Sequence, residues 1–256
     1  MKITSLGHSC LLLTFIDPKT HVHTRILIDP WLSDHATGDS MGRFPRLRFN
    51  FSVLEEIHAV FISHAHCDHL DPYTLVRIWK ELPNPPILFI PVSLHFLQPV
   101  FRTYLKEVDV RLIEPHTNFT FRGLEFLGFF DVALEATNED DVMVLVITNG
   151  SERVLIEADA RLSLELPNFR KFISMLMRRP DLESAVYLTT ENELLGTLES
   201  RNCQTINDRE NLQAYALDDM LQSVYQLYIP VDDPEDIWQG DKVLRLIHGQ
   251  GLTAPH

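Results

Sequence analysis

Short runs rich in apolar, β-branched and aromatic residues punctuate the first two-thirds of the chain: KITSLG, CLLLTFID, TRILIDP, AVFISHA, PILFIPV and VRLIEP. LEFLGFFD, VMVLVITN, RVLIEAD and AVYLTTE continue the series. Runs of this length bounded by turn residues read as strands. Helical spacing of apolar residues intervenes at 72–82, 93–107 and 164–179. The last of these, LELPNFRKFISMLMRR, carries basic residues in its final turn, where they favour the helix dipole. Early strands follow one another directly, as hairpins do, and later ones alternate with helices. That order predicts an α/β fold of two mixed sheets sandwiched between helices rather than one doubly wound parallel sheet.

Beyond residue 200 the pattern changes to a helical stretch at 208–228, an acidic VDDPEDIW and a final DKVLRLIHG. Without repeats or a flexible linker, residues 1–256 read as one domain in which 200–256 is a C-terminal elaboration. Residues 31–53 form a long polar connection, and loops of that length are often functional.

Composition narrows the partners. Lys and Arg number 22 against 36 Asp and Glu, a net charge of −14 that repels phosphate backbones and anionic membrane surfaces. No nucleic acid or membrane partner is expected, and no apolar run approaches the ~20 residues that span a bilayer. The N-terminal MKITSLGHSCLLLTFID alternates like a strand and lacks a cleavage-type site, so it reads as mature protein. Three scattered cysteines, Cys10, Cys67 and Cys203, argue against a disulfide framework and for a reducing cytoplasm. A small-molecule substrate fits this profile, and a homo-oligomer is compatible with it.

The chemistry is concentrated in FISHAHCDHLDPYT, where three histidines and two aspartates occupy the eight positions from His64 to Asp71. The preceding AVFI reads as a buried strand, and a helix is expected to begin near Pro72. So many polar groups at a strand end are costly to bury unless something pairs with them. His64 and His66 lie two apart and face the same side of an extended backbone. Asp68 and His69 follow where the chain turns. Imidazoles suit zinc, iron and similar cations, and a carboxylate adds charge neutralisation. A solvated polar loop is the alternative reading.

HAHCDH resembles the H-x-H-x-D-H signature of the metallo-β-lactamase superfamily. ITSLGHSCLLL is similar to the opening hairpin of its L-ascorbate-6-phosphate lactonase-like branch, and ILIDPWLSD resembles a segment shared with CMP-N-acetylneuraminate hydroxylase-like proteins. The resemblance covers about residues 1 to 190 and implies an αββα sandwich with metals at one edge of the two sheets. It implies that His64 and His66 bind a first metal, Asp68 and His69 a second, and that Asp159, in RVLIEADA, bridges them. Asp29 would orient a ligand histidine through its free ring N–H, or else serve as a turn residue before Pro30.

The sequence departs from the family pattern in two places. LEFLGFFDVALEATNEDDVMVLVIT contains no histidine where the first metal usually gains one, and Asp131 and Glu135, with Asp140 or Asp141, are the nearest candidates. A carboxylate there shifts preference toward iron, manganese or magnesium. AVYLTTENELLG likewise lacks the late histidine and offers Thr189, Thr190, Glu191 and Glu193, while His248 can approach from the tail. Cys10 reads as a small buried hydrophobe, His8 as structural, His35 as a solvated loop residue, and Cys67 as a variable position of the motif.

The resemblance implies a metal-dependent hydrolase in which metal-bound hydroxide attacks a lactone, amide or phosphoester, with Asp68 catalytic and one or two zinc, iron or manganese ions as cofactor. Two alternatives stay open: a di-iron oxygenase on the same fold, and a degenerate, non-catalytic binding protein.

Overall fold

The computed structural model of the chain describes residues 1–7, 9–17, 20–33, 50–130, 142–160, 172, 175–176, 184–189, 225–229, 242–245 and 251–253. Among these, the first strands are β1 (Lys2–Gly7), β2 (Cys10–Ile16), β3 (His23–Ile28), β4 (Ala59–Phe61), β5 (Ile87–Pro91) and β6 (Val110–Ile113). They are followed by β7 (Asn118–Phe121), β8 (Leu124–Phe129), β9 (Val144–Thr148), β10 (Glu152–Ile156) and β11 (Ser184–Thr189). The last are β12 (Tyr225–Ile229), β13 (Lys242–Arg245) and β14 (Gly251–Thr253). Two α-helices are bounded among the described residues, α1 (Pro72–Glu81) and α2 (Gln98–Tyr104). The chain divides into two compact units, and each contains one seven-stranded mixed sheet. The expected α/β class with mixed sheets is the one the chain adopts.

In the first unit the strand order is β14-β1-β2-β3-β4-β5-β6. The pairs β1–β2 and β2–β3 are antiparallel, as the back-to-back runs predict. From β3 to β6 every pair is parallel. α1 connects β4 to β5, and its Leu75, Ile78, Trp79 and the following Leu82 recur at helical spacing in a core with Leu12, Leu27, Val60, Leu88 and Ile90. A ten-residue helix is marginal by itself. Burial of these four side chains at about 1.5–3 kcal/mol each decides that α1 forms. Cys10 is buried in the same core, as expected of a small hydrophobe.

The helical pattern at 93–107 resolves into a 3-10 segment, Val92–Leu97, followed by α2. Pro99 explains the break, because proline lacks the N–H of a helix interior and is accommodated only in a first turn.

In the second unit the order is β13-β12-β11-β10-β9-β8-β7. β10 and β11 pair in parallel, and the other neighbours are antiparallel. β9 is buried along its whole length, as its continuous apolar run requires. The β7–β8 hairpin closes through Arg122 (φ 50°) and Gly123 (φ 78°), the two-residue geometry with both central residues left-handed that glycine favours.

One sequence expectation changes here. The helical pattern at 208–228 ends in a strand, because Tyr225–Tyr228 belong to β12 and pair with Leu188 and its neighbours in β11. Of the helix expected at 164–179 only Phe172, Met175 and Leu176 are described, and they are helical. No helix among the described residues is long and apolar enough to cross a membrane.

Candidate metal centre

The site begins with the parallel register of β3 and β4, which sets Ile28 opposite Phe61. One residue on, the Asp29 N–H donates to the Phe61 carbonyl at 2.9 Å, and the Ile62 N–H donates to Phe89 of β5 at 3.1 Å. The carboxyl ends of these strands are thus level with one another, the usual place for a ligand site in an open α/β sheet. Asp29 leaves β3 with φ 44°, in the left-handed region that aspartate tolerates better than most side chains. Its carboxylate is fully buried and accepts three hydrogen bonds. The Ser63 N–H donates to Oδ1 at 2.7 Å, the Ser63 hydroxyl to Oδ2 at 2.7 Å, and His69 Nδ1 to Oδ2 at 2.9 Å. A buried carboxylate is tolerated when its lone pairs are satisfied in this way.

The loop that follows β4 turns tightly. The N–H groups of His69 and Leu70 both donate to the His66 carbonyl, at 3.0 and 2.8 Å, and Asp71 then caps α1 through the N–H groups of Tyr73 and Thr74. The same Asp71 carboxylate accepts from Ser33 at 3.3 Å, and the Thr74 hydroxyl accepts from Leu32 at 2.8 Å. The turn after β3 and the start of α1 are therefore tied together, with the histidine loop between them.

Inside that frame His64 and His69 are buried, His66 is exposed, and the Asp68 side chain is 13% exposed. The His64 ring lies 4.5 Å from that of His66 and 4.2 Å from that of His69, centre to centre. His64 Nε2 is 2.9 Å from His66 Nδ1, and His69 Nε2 is 3.7 Å from Asp68 Oδ2. Two ligand atoms about 2.1 Å from one tetrahedral cation stand roughly 3.4 Å apart. The two observed separations bracket that spacing, so the donor set suits a divalent cation in both type and distance.

Of the residues singled out from sequence, His64, His66, Asp68 and His69 lie in this loop and Asp29 holds His69 from behind. Asp159 is half-buried in the turn after β10, which the Ala160 N–H closes onto the Glu157 carbonyl at 3.2 Å. Thr189 ends β11. Asp131, Glu135, Asp140, Asp141, Thr190, Glu191, Glu193, His248, His8 and His35 lie outside the described residues.

No sequence motif marks Ser63, which touches both Asp29 and His64, its Oγ being 2.8 Å from His64 Nδ1. The only signal was a small hydroxyl residue between an apolar strand and the first histidine. Asp71 is legible as a helix cap from its place before Pro72, but not as the anchor of Ser33.

Comparison with known proteins places these elements. A family described as "Beta-lactamase superfamily domain" matches residues 24–161, from the start of β3 past the turn after β10 and more than half of the 256 residues. Among solved structures, the chain is similar to CmlA, a diiron beta-hydroxylase from Streptomyces venezuelae, with 23% identity and a TM-score of 0.43. That match covers 60% of this chain and 28% of the other. It is also similar to an isothiocyanate hydrolase from Delia radicum gut bacteria, at 18% identity and a TM-score of 0.44, over 61% of this chain and 62% of that one. The metallo-beta-lactamase fold protein YhfI from Bacillus subtilis matches at 17% identity and a TM-score of 0.42, over 60% and 61%. The chain thus spans less than two-thirds of each of these proteins. A search of curated proteins gives no match. With the matched segment carrying Asp29, the histidine loop and the turn after β10, the chain belongs to the metallo-β-lactamase superfamily.

Proposed function

We propose that the protein is a metal-dependent hydrolase acting on a small molecule with a lactone, amide or phosphoester bond. Its cation site is built on His64, His66, Asp68 and His69, with Asp159 as the bridging carboxylate. The observation that carries this reading is the buried pair of Asp29 and His69. The ring proton of His69 is held at Nδ1 by Asp29, which leaves Nε2 as a lone-pair donor on the side of the Asp68 carboxylate. A structural histidine has no need of a second carboxylate facing its other nitrogen.

A divalent cation in such a site supplies an activated water near neutral pH and polarises the oxygen of the bond to be broken. The protein's own groups divide the remaining work. His64 and His69 are buried and fixed, so they set the position of the ligand atoms. Asp68 is partly open to solvent and would both hold the cation and accept a proton from the water. Asp159 follows β10 within the matched family segment, which supports it as the bridging carboxylate. Asp131 and Glu135 stand for the usual third histidine and His248 for the late one. The net charge of −14 disfavours polyanionic substrates.

One feature of the sequence favours a second reading, a di-iron oxygenase: no histidine occurs between His116 and His248. Any ligands from that stretch must be mainly carboxylates, which suit iron or manganese better than zinc. Elemental analysis of protein purified without chelator, followed by assays on lactones and phosphoesters under nitrogen, separates the readings. Hydrolysis without oxygen supports the hydrolase. Two irons per chain with reductant-dependent oxygen uptake replace it with the oxygenase, and no uptake of metal after reconstitution replaces both with a binding protein.

A further inference from the structure

We infer that Ser63 is a positioning residue that fixes the tautomer of His64, so that one buried carboxylate, Asp29, presets two ligand histidines at once. The inference rests on the metal-site reading for its purpose but on hydrogen-bond logic for its content. A neutral imidazole carries its single proton on either nitrogen, and its partners decide which. Ser63 Oγ lies 2.7 Å from Asp29 Oδ2 and 2.8 Å from His64 Nδ1. An ionised carboxylate only accepts, so the one hydroxyl proton of Ser63 points at Asp29. The serine oxygen is then left as an acceptor toward His64, whose Nδ1 must be the protonated nitrogen. Its Nε2 is consequently a lone pair, directed to the side where His66 Nδ1 lies at 2.9 Å.

The same Asp29 Oδ2 accepts from His69 Nδ1 directly. His69 is thus set in one step and His64 in two, through Ser63. All four side chains, Asp29, Ser63, His64 and His69, are buried, so water does not substitute for a missing partner at ordinary cost. The backbone N–H of Ser63 is separately bonded to Asp29 Oδ1 at 2.7 Å. Ser63→Ala therefore removes the relay and keeps the tether between the two loops, which separates a positioning role from a scaffolding one.

The test begins with the unmodified protein. Long-range proton–nitrogen NMR correlations of metal-free, nitrogen-15-labelled chain report which ring nitrogen of each histidine is protonated, with His64→Gln identifying the signal. We expect Nδ1–H at His64 and His69. In Ser63→Ala, with the fold checked by circular dichroism, we expect His64 alone to lose that pattern and zinc affinity, measured against a competing chelator, to fall about 10-fold or more. Ser63→Thr keeps the hydroxyl and should retain the wild-type tautomer. An Nε2–H tautomer of His64 in the wild-type protein overturns the inference, as does a Ser63→Ala protein whose tautomer and zinc affinity match wild type. A wild-type chain that shows both Nδ1–H tautomers yet takes up no zinc, iron or manganese supports the relay while refuting the metal-site reading, so the two claims fail separately.

Discussion

Asp29 Oδ2 and His69 Nδ1 lie 2.9 Å apart with both side chains closed to solvent, although β3 and the histidine loop are separated by the whole of residues 30–62. The pairing exists because β3 and β4 run parallel in a register that brings their carboxyl ends side by side. It makes the strand preceding the long polar connection part of the site.

Asp29→Asn tests that relationship. Asparagine tolerates the left-handed backbone at φ 44°, so strain does not confuse the result. Its NH2 group, whichever way it turns, faces a donor: the Ser63 N–H on one side, or the Ser63 hydroxyl and His69 Nδ1 on the other. We expect a loss of roughly 10–100-fold in metal affinity and of about 1–3 kcal/mol in stability. Chelator competition and urea denaturation measure the two, and an unchanged metal affinity would remove Asp29 from the site.

Asp71 makes a different prediction, about the frame rather than the ligands. It caps α1 and also accepts from Ser33 in the turn after β3. Asp71→Ala should cost about 1–2 kcal/mol as a lost cap and lower Tm by roughly 2–8 °C. A Tm within a degree of wild type would mean that water replaces the cap.

Much of the site was legible because the loop is local. AVFI marks a buried strand, and HAHCDH places three histidines and an aspartate in six positions, so neither needs tertiary information. The role of Asp29 was readable only as an even choice between turn and support, since its partner lies across a strand pairing. Ser63 was not legible, because its function depends on the β3–β4 register and not on its own segment. The same cause hid β14, which pairs Thr253 with Lys2 from the opposite end of the chain. In β12, Tyr225–Tyr228 fitted a helical period, but pairing with β11 on one side and β13 on the other outweighs so weak a local preference.

Carboxylates from the second half of the chain are expected to complete the donor set. Asp131→Ala or Glu135→Ala should each lower the metal content per chain, and Asp159→Asn should reduce a two-ion site to one. Metal stoichiometry after dialysis against a weak chelator decides this. If all three variants keep the wild-type content, His64, His66, Asp68 and His69 bind the cation without them.

The sharpest contrast lies among three adjacent residues of the loop. His66 is exposed and Asp68 is partly exposed, and neither belongs to the first unit's apolar core, so removing both leaves the packing of α1 on the sheet intact. We therefore expect His66→Ala combined with Asp68→Ala to fold with a near wild-type circular dichroism spectrum, at a cost of about 1–3 kcal/mol for the partners taken from His64 and His69, and to retain little or no metal. Cys67 sits between them as a free thiol, half-buried. Softness alone would make a thiolate an attractive zinc ligand, and sequence proximity cannot distinguish it from its neighbours. The hydrogen-bond network does: Asp29 and Ser63 address His69 and His64, and the Asp68 carboxylate faces His69. Cys67→Ser should accordingly leave metal content unchanged. Loss of the metal in Cys67→Ser, or its retention in the double variant, would reassign the ligands of this loop.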